Sequence, residues 1–225
     1  IIGEPTMMEP AIGHKGKIAG IRRCKGHECH SSDAPKGLNA IHLANEMITA
    51  TRKLQDKIAE RPRPEEGFTI PYTTLHIGTI KGGTALNIVP ADCTLEFEIR
   101  NSPSDPAQNI LQSLFDEAAS VTERVRSRFP ECGVTLEITN EYPGLLMREG
   151  EASLTTLQTL VGSQKAKKIS FGTEGGLFHQ ALNVPTYICG PGDIAQAHRP
   201  DEFISRDQMA QCLGFLERLS HTLRV

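Results

Sequence analysis

From residue 38 to residue 58 the apolar side chains Leu38, Ile41, Ala44, Ile48, Leu54 and Ile58 return at helical spacing, which predicts an amphipathic helix. Ser and Asp residues in SSDAPKG, just upstream, offer it caps. RPRPEEGF ends it, because proline lacks the backbone donor that a helix interior needs. The period then drops to two. In DCTLEFEIR, Cys93, Leu95, Phe97 and Ile99 alternate with Thr94, Glu96, Glu98 and Arg100, as in a sheet with one wet face. TTLHIGTI and GVTLEIT read as further strands. Between the last two strands lies SDPAQNILQSLFDEAASVTERV, a second helix. Its buried stripe is Ile110, Leu111, Leu114, Phe115, Ala118 and Val121, with Asp105 as cap and Pro106 in the first turn. GHKGKIAGIRRCKG supplies the opening strand. The resulting order, βαββαβ, is the split βαβ pattern: two helices over one four-stranded antiparallel sheet, at residues 13–140.

The flanks have another character. IIGEPT, KKISFGTEGGLF and VPTYICGPG are short apolar runs ending in Gly- and Pro-rich turns. Such runs suit buried strands of an α/β sheet whose carboxyl ends face a cleft. SRDQMAQCLGFLERLSHTLRV is an amphipathic helix with Met209, Leu213, Leu216, Leu219 and Leu223 on one stripe. The expected organisation is an α/β domain at 1–12 and 141–225, interrupted by the insert at 13–140. That outer domain is thin, with one opening strand and a C-terminal portion.

Hydrophobic residues at 38% and charged residues at 23% describe a globular chain with a sizeable core. A net charge of −3 with both signs interspersed leaves no electrostatic footprint for nucleic acid or anionic lipid. No apolar run approaches the roughly 20 residues of a spanning helix. The six cysteines are scattered without a CxxC pair, which reads as reduced, mostly packed thiols of a cytoplasmic protein. No targeting segment is visible in these residues.

Candidate chemistry is thin motif by motif. His198, in GPGDIAQAHRPDEF, is either a solvated loop histidine or a zinc ligand whose second nitrogen Asp201 or Glu202 holds. Glu4, before a proline, is a turn residue or a ligand. His27, Cys29 and His30 in KGHECHSSDAPKG fall short of the four ligands of a closed structural zinc site. HEXXH and GxSxG are absent. KGGTALN and FGTEGGLF match neither the Walker pattern nor the dinucleotide fingerprint, and suit loops where backbone approaches a small ligand.

The order of the pieces is more specific than any one of them. GEPT, GHKGKIA, CHSSDAPKGLNAI, GGTALNIVPADCTLEFEIR, FGTEGGLF and GPGDIAQAHRPDEF together resemble the co-catalytic zinc amidohydrolase and peptidase family. That family includes acetylornithine deacetylase, succinyl-diaminopimelate desuccinylase, aminoacylase and carboxypeptidase G. The resemblance covers essentially the whole chain, and FGTEGGLF and AHRPDEF look closest to the acetylornithine deacetylase branch.

The resemblance implies part of a zinc-hydrolase catalytic domain with an inserted βαββαβ lid through which the protein forms a homodimer. It implies two zinc ions (cobalt being possible), with Glu4 ligating one and His198 the other. The remaining ligands and the general base, a His-x-Asp motif, a bridging Asp and a Glu-Glu pair, are then expected ahead of residue 1. His30 is expected to donate to the oxyanion in the partner subunit's site; a capping or solvated role is its alternative. Asn87 and Arg100 match substrate-contacting lid positions. Arg100 would pair with a substrate carboxylate, or else is an exposed strand-end charge. Gly172, Thr173, Glu174 and Gly176 match the loop at the amino-acid end of the substrate, where Glu174 could attract an ornithine ammonium. His14, His42, His76, His179 and His221 read as structural or solvated. The implied reaction is hydrolysis of an N-acyl amino acid, N-acetyl-ornithine above all, giving ornithine and acetate in arginine biosynthesis. Alternatives are a desuccinylase, a general aminoacylase, or, for this chain by itself, an inactive dimerisation module.

Overall fold

Residues 1–61 and 65–224 are described by the structure, a computed structural model. Pro62 and Pro64, two expected helix breakers, lie outside the described residues. The chain divides into two compact units. The first comprises Ile1–Gly16, Glu66–Ile70 and Tyr142–Val225; the second comprises Lys17–Glu65 and Pro71–Glu141. In chain order, β1 (Ala11–His14) belongs to the first unit. β2 (Lys17–Lys25), α1 (Ala40–Ala59), β3 (Thr74–Gly82), β4 (Asp92–Arg100), α2 (Ala107–Arg126) and β5 (Gly133–Tyr142) build the second. β6 (Leu145–Leu146), α3 (Ala152–Val161), β7 (Lys167–Ile169), α4 (Gly175–Leu182) and α5 (Arg206–Thr222) return to the first. Among the described residues no helix is long and apolar enough to cross a membrane.

The second unit is the expected βαββαβ layer pair. Its sheet runs β3-β4-β2-β5, and β4 pairs antiparallel with both β2 and β3. The period-two pattern sends Cys93, Leu95, Phe97 and Ile99 to the helix side, beside Ile18, Arg22 and Cys24 of β2. Leu43, Ala44 and Met47 of α1 and Ile110, Leu114, Ala118 and Val121 of α2 close that core. The caps differ from those expected. Asn39 caps α1, its Oδ1 accepting from the N–H groups of Ile41 and His42 at 2.9 and 3.2 Å. SSDAPK instead forms a separate 3-10 turn over Ser31–Lys36. Asp105 does not cap α2. Its carboxylate takes the Thr73 hydroxyl and Nη1 of Arg61 at 2.9 Å, leaving Pro106 to open the helix without a side-chain cap. Phe115, expected inside, is exposed.

The first unit holds a three-stranded sheet, β6-β1-β7, with β6 antiparallel and β7 parallel to β1. IIGEPT and VPTYICGPG were expected as full strands, but each contributes isolated bridges: Ile2 pairs with Ile188, which also pairs with Ala11. Pro5, Pro185 and Pro191 lack the N–H that a longer ladder requires. Ala11, Ile12, Leu145, Leu154, Leu157, Tyr187, Ile188 and Phe215 form the core. α5 meets that core through Phe215, Cys212 and Leu219. Its expected stripe is otherwise turned outward, with Met209, Leu213, Leu216 and Leu223 43–71% exposed.

A tight turn joins Glu4 to β1. Met7 and Met8 both hold left-handed backbone, at φ 58° and 57°, and Glu9 N–H donates to Thr6 O at 3.1 Å. Two positive φ values at the centre define a type I′ turn, normally an Asn-Gly preserve. Met7→Asn is expected to stabilise the chain by about 0.5–1 kcal/mol, since asparagine adopts this conformation with less strain. Thermal melts check it; a lower midpoint would mean that the half-exposed Met7 side chain contributes packing that outweighs the strain.

Candidate functional site

Glu4 leaves the turn-rich start of the first unit half-buried. Thr6, Met7 and Met8 dock their N–H groups on the carbonyls of Gly190 and Gly192 at 2.8–3.1 Å. This approach needs a glycine: a Cβ on Gly190 would sit 2.6 Å from the Glu4 carbonyl oxygen. Burial pushes the Glu4 carboxyl above its ordinary range; the negative charge of Glu174 pushes the same way, and His198 opposes both. Residues 4, 174 and 198 are far apart in sequence, and folding of the first unit brings them within electrostatic reach of one another.

His198 sits in the left-handed region at φ 61°, and Asp201 follows at φ 59°. Such backbone costs about 1–3 kcal/mol per residue and collects at functional loops. Glu202 holds the loop differently from the expected arrangement. Its carboxylate accepts from the backbone N–H of His198 at 3.0 Å, not from the ring. The exposed ring makes no hydrogen bond to the described residues, so a nitrogen lone pair is available.

The FGTEGG segment turns into α4 rather than continuing as a loop. Thr173 is buried, and its hydroxyl accepts from Gly175 N–H at 2.9 Å. Gly176 packs where a Cβ would lie 2.4 Å from the carbonyl oxygen of Pro143, and Gly172 lies against the Tyr142 ring. Glu174 remains exposed at the head of the helix. His14, read from sequence as structural or solvated, is fully buried on β1. Its Nδ1–H donates to Lys15 O at 2.8 Å, and its Nε2 accepts from Gly176 N–H at 3.3 Å. Burial lowers its pKa against the opposing pull of the Lys15 carbonyl and Glu174, so it serves as a neutral tie between β1 and this turn. The sequence signal was the His next to a strand end; only the fold supplies its partner.

In the second unit, His30 is the N-cap of the 3-10 turn and is exposed. Its Nδ1 accepts from Ser32 N–H at 3.3 Å and lies 2.8 Å from the Ser32 hydroxyl. Ser31 N–H donates to Asn87 O at 2.9 Å, which sets Asn87 beside the His30 loop. Arg100 is elsewhere. It ends β4, with Nε on Glu98 at 2.6 Å, whereas Asn87 precedes the start of that strand. β4 runs nine residues, about 27 Å, from Asp92 to Arg100, and Asn87 lies ahead of its start. The unit therefore joins His30 with Asn87 and holds Arg100 at the far end.

Divalent cations suit Glu4 and His198. One cation would relieve a carboxylate destabilised by burial and by Glu174, and a second would take up the open imidazole. Among the described residues no group of three or more His, Cys, Asp or Glu side chains is arranged to hold an ion.

Residues 12–126 match a family model described as a peptidase dimerisation domain. The acetylornithine deacetylase of Proteus mirabilis is 38% identical over 205 residues, covering 91% of this chain and 51% of that protein. The acetylornithine deacetylase of Erwinia tasmaniensis is 37% identical over 218 residues, 94% of this chain and 55% of its own length. The chain thus spans about half the length of the curated relatives it matches. Among solved structures, a Staphylococcus aureus tripeptidase superposes at TM-score 0.69 with 20% identity over 96% of this chain and 54% of its own. The Bacillus cereus aminopeptidase PepT gives 0.71 with 16% identity over 97% and 55%. These two likenesses speak for the fold.

Proposed function

We propose, since this chain belongs to the peptidase dimerisation domain family, that the protein carrying it hydrolyses the amide bond of an N-acyl amino acid. N-acetyl-ornithine is the preferred substrate, giving ornithine and acetate. The observation that carries this reading is that the charges of Glu174 and His198 both act on the half-buried Glu4 carboxyl, in a chain 38% identical to a protein called acetylornithine deacetylase. Glu4 and His198 would hold metal, zinc in the first instance. Bound there, the metal would polarise the acyl carbonyl and lower the pKa of water. The chain's own residues do the rest of what is assigned to it. Glu174 offers a carboxylate for a substrate ammonium, and His30 a hydrogen bond to the developing oxyanion. Asn87 contributes beside His30, and Arg100 offers a guanidinium fork to the α-carboxylate once released from Glu98.

The length of β4, about 27 Å, bears on how this works. An acyl amino acid is far too short to touch both ends of one strand, so Arg100 and the His30–Asn87 pair would serve one substrate only from two subunits. A homodimer through the second unit supplies that, and the edge strand β3, with Ile80 52% exposed, is the surface on which we place the second copy. Its six free thiols suit a cytoplasmic setting.

Kinetics on N-acetyl-ornithine and N-succinyl-diaminopimelate, before and after chelation, test the proposal. Zinc-restored turnover of the acetyl substrate is expected; turnover confined to the succinyl substrate would reject this branch. A second reading applies to the 225 residues alone. Glu4 and His198 would give each zinc ion one donor where catalytic zinc takes three protein ligands, so the chain by itself would be a dimerising module with half a metal site. Hydrolysis by these residues at the rate of a complete relative would reject it.

A further inference from the structure

We propose that Ser32 is a positioning residue that fixes the tautomer of His30, so that the ring carries its proton on Nε2 and offers it outward. The proposal rests on the reading of His30 as an oxyanion donor. A backbone N–H can only donate. The Ser32 N–H at 3.3 Å therefore makes His30 Nδ1 an acceptor, and a neutral imidazole whose Nδ1 accepts has its proton on Nε2. The Ser32 hydroxyl, 2.8 Å from the same nitrogen, donates as well. Both bonds close within three residues, at the N-cap of a 3-10 turn, so no remote group is required to orient the ring.

The loop bearing this pair is pinned from several sides. His27 and Leu38 exchange two backbone hydrogen bonds at 2.8 and 2.9 Å, and Val89 N–H donates to Cys29 O at 2.9 Å. Nη2 of Arg128 donates to Pro35 O at 2.5 Å. The His30 ring itself stays exposed, and its Nε2 has no partner among the described residues. This is what a donor held ready for an incoming anion requires. The other tautomer would present a lone pair to the oxyanion and repel it. Loss of one oxyanion donor costs on the order of a hundred- to a thousandfold in kcat, and the choice of tautomer decides whether the donor exists.

Histidine 15N labelling of this chain, with long-range proton–nitrogen correlation spectra at mildly alkaline pH, reads the tautomer directly. The His30 resonances are identified by their loss in His30→Gln. Protonated Nε2 and bare Nδ1 are expected, and a proton on Nδ1 would overturn the proposal. In the protein that carries this chain, Ser32→Ala keeps the N–H and loses the hydroxyl, so kcat should fall about tenfold with KM nearly unmoved, and Ser32→Thr should restore it. An undiminished kcat in Ser32→Ala would remove the hydroxyl from the proposal. The spectra need no turnover. A protein that cleaves no acyl amino acid, yet keeps its proton on Nε2, would therefore refute the activity and leave the tautomer assignment standing.

Discussion

Glu4→Gln is expected to raise the thermal midpoint of the metal-free chain at neutral pH, and to cut kcat/KM of the protein carrying it about a thousandfold. The stability half follows from linkage. Burial, then Glu174, hold the Glu4 carboxyl above its ordinary value of 4.5. A raised folded-state pKa contributes stability that is fully present below the unfolded value and is lost as pH rises through the folded one. At neutral pH the native residue thus holds an anion in a place that disfavours it, and glutamine does not. The difference between variant and native midpoints should therefore vanish below the ordinary carboxylate range and open above it. The activity half rests on the proposed role of Glu4 as a metal ligand: its loss would forfeit several kcal/mol of charge stabilisation, and about 4 kcal/mol corresponds to the thousandfold. Added zinc should lift the midpoint of the native protein and leave the variant unmoved. A variant that melts lower at neutral pH, or that responds to zinc like the native protein, would remove Glu4 from the site.

Arg22→Met should stabilise the second unit by about 2 kcal/mol, raising the midpoint by roughly 4–8 °C in a chain of this size. Arg22 is 1% exposed in the core between β2 and α1. Nη1 donates to Thr51 Oγ1 at 2.6 Å and to Met47 O at 3.2 Å, and the guanidinium stacks 4.7 Å from the Phe97 ring centre. Nε and Nη2 are buried with no hydrogen-bond partner among the described residues. Burial brings the pKa down to about 10, a measure of how poorly the cation is compensated. Methionine keeps the unbranched stem and a favourable sulfur–aromatic contact with Phe97. It orphans no neighbour, because the Thr51 hydroxyl already donates to Met47 O at 2.8 Å. A lower midpoint would show that the two nitrogens are satisfied in the native protein.

The second unit was readable from sequence because its signals are local. Period-two strands and period-3.6 helices each commit one face, and the βαββαβ order then admits few topologies. Its errors were competitions among partners. Asp105 was a sound cap by position, but Thr73 and Arg61 claim it. Asn39 displaced the upstream Ser and Asp residues at α1. The first unit was harder. α5 carries apolar residues on two adjoining stripes, and periodicity cannot say which of them meets the core. α3 and α4 gave no clear signal; α4 opens with two glycines, poor helix formers kept for close packing. The candidate site was visible only as residues in order. What stayed hidden was contact: Glu202 on the His198 backbone rather than on its ring, and His14 on Gly176.

The nine-residue run of β4 has an evolutionary corollary. Losing or gaining one residue within Asp92–Arg100 would swap every later side chain to the opposite face, and a two-residue change would restore the faces yet move Arg100 by about 7 Å. Natural variants of this protein should therefore vary side chains on the outer face of that strand, keep its inner face apolar, and refuse insertions and deletions there, much as a ruler may be repainted but not cut.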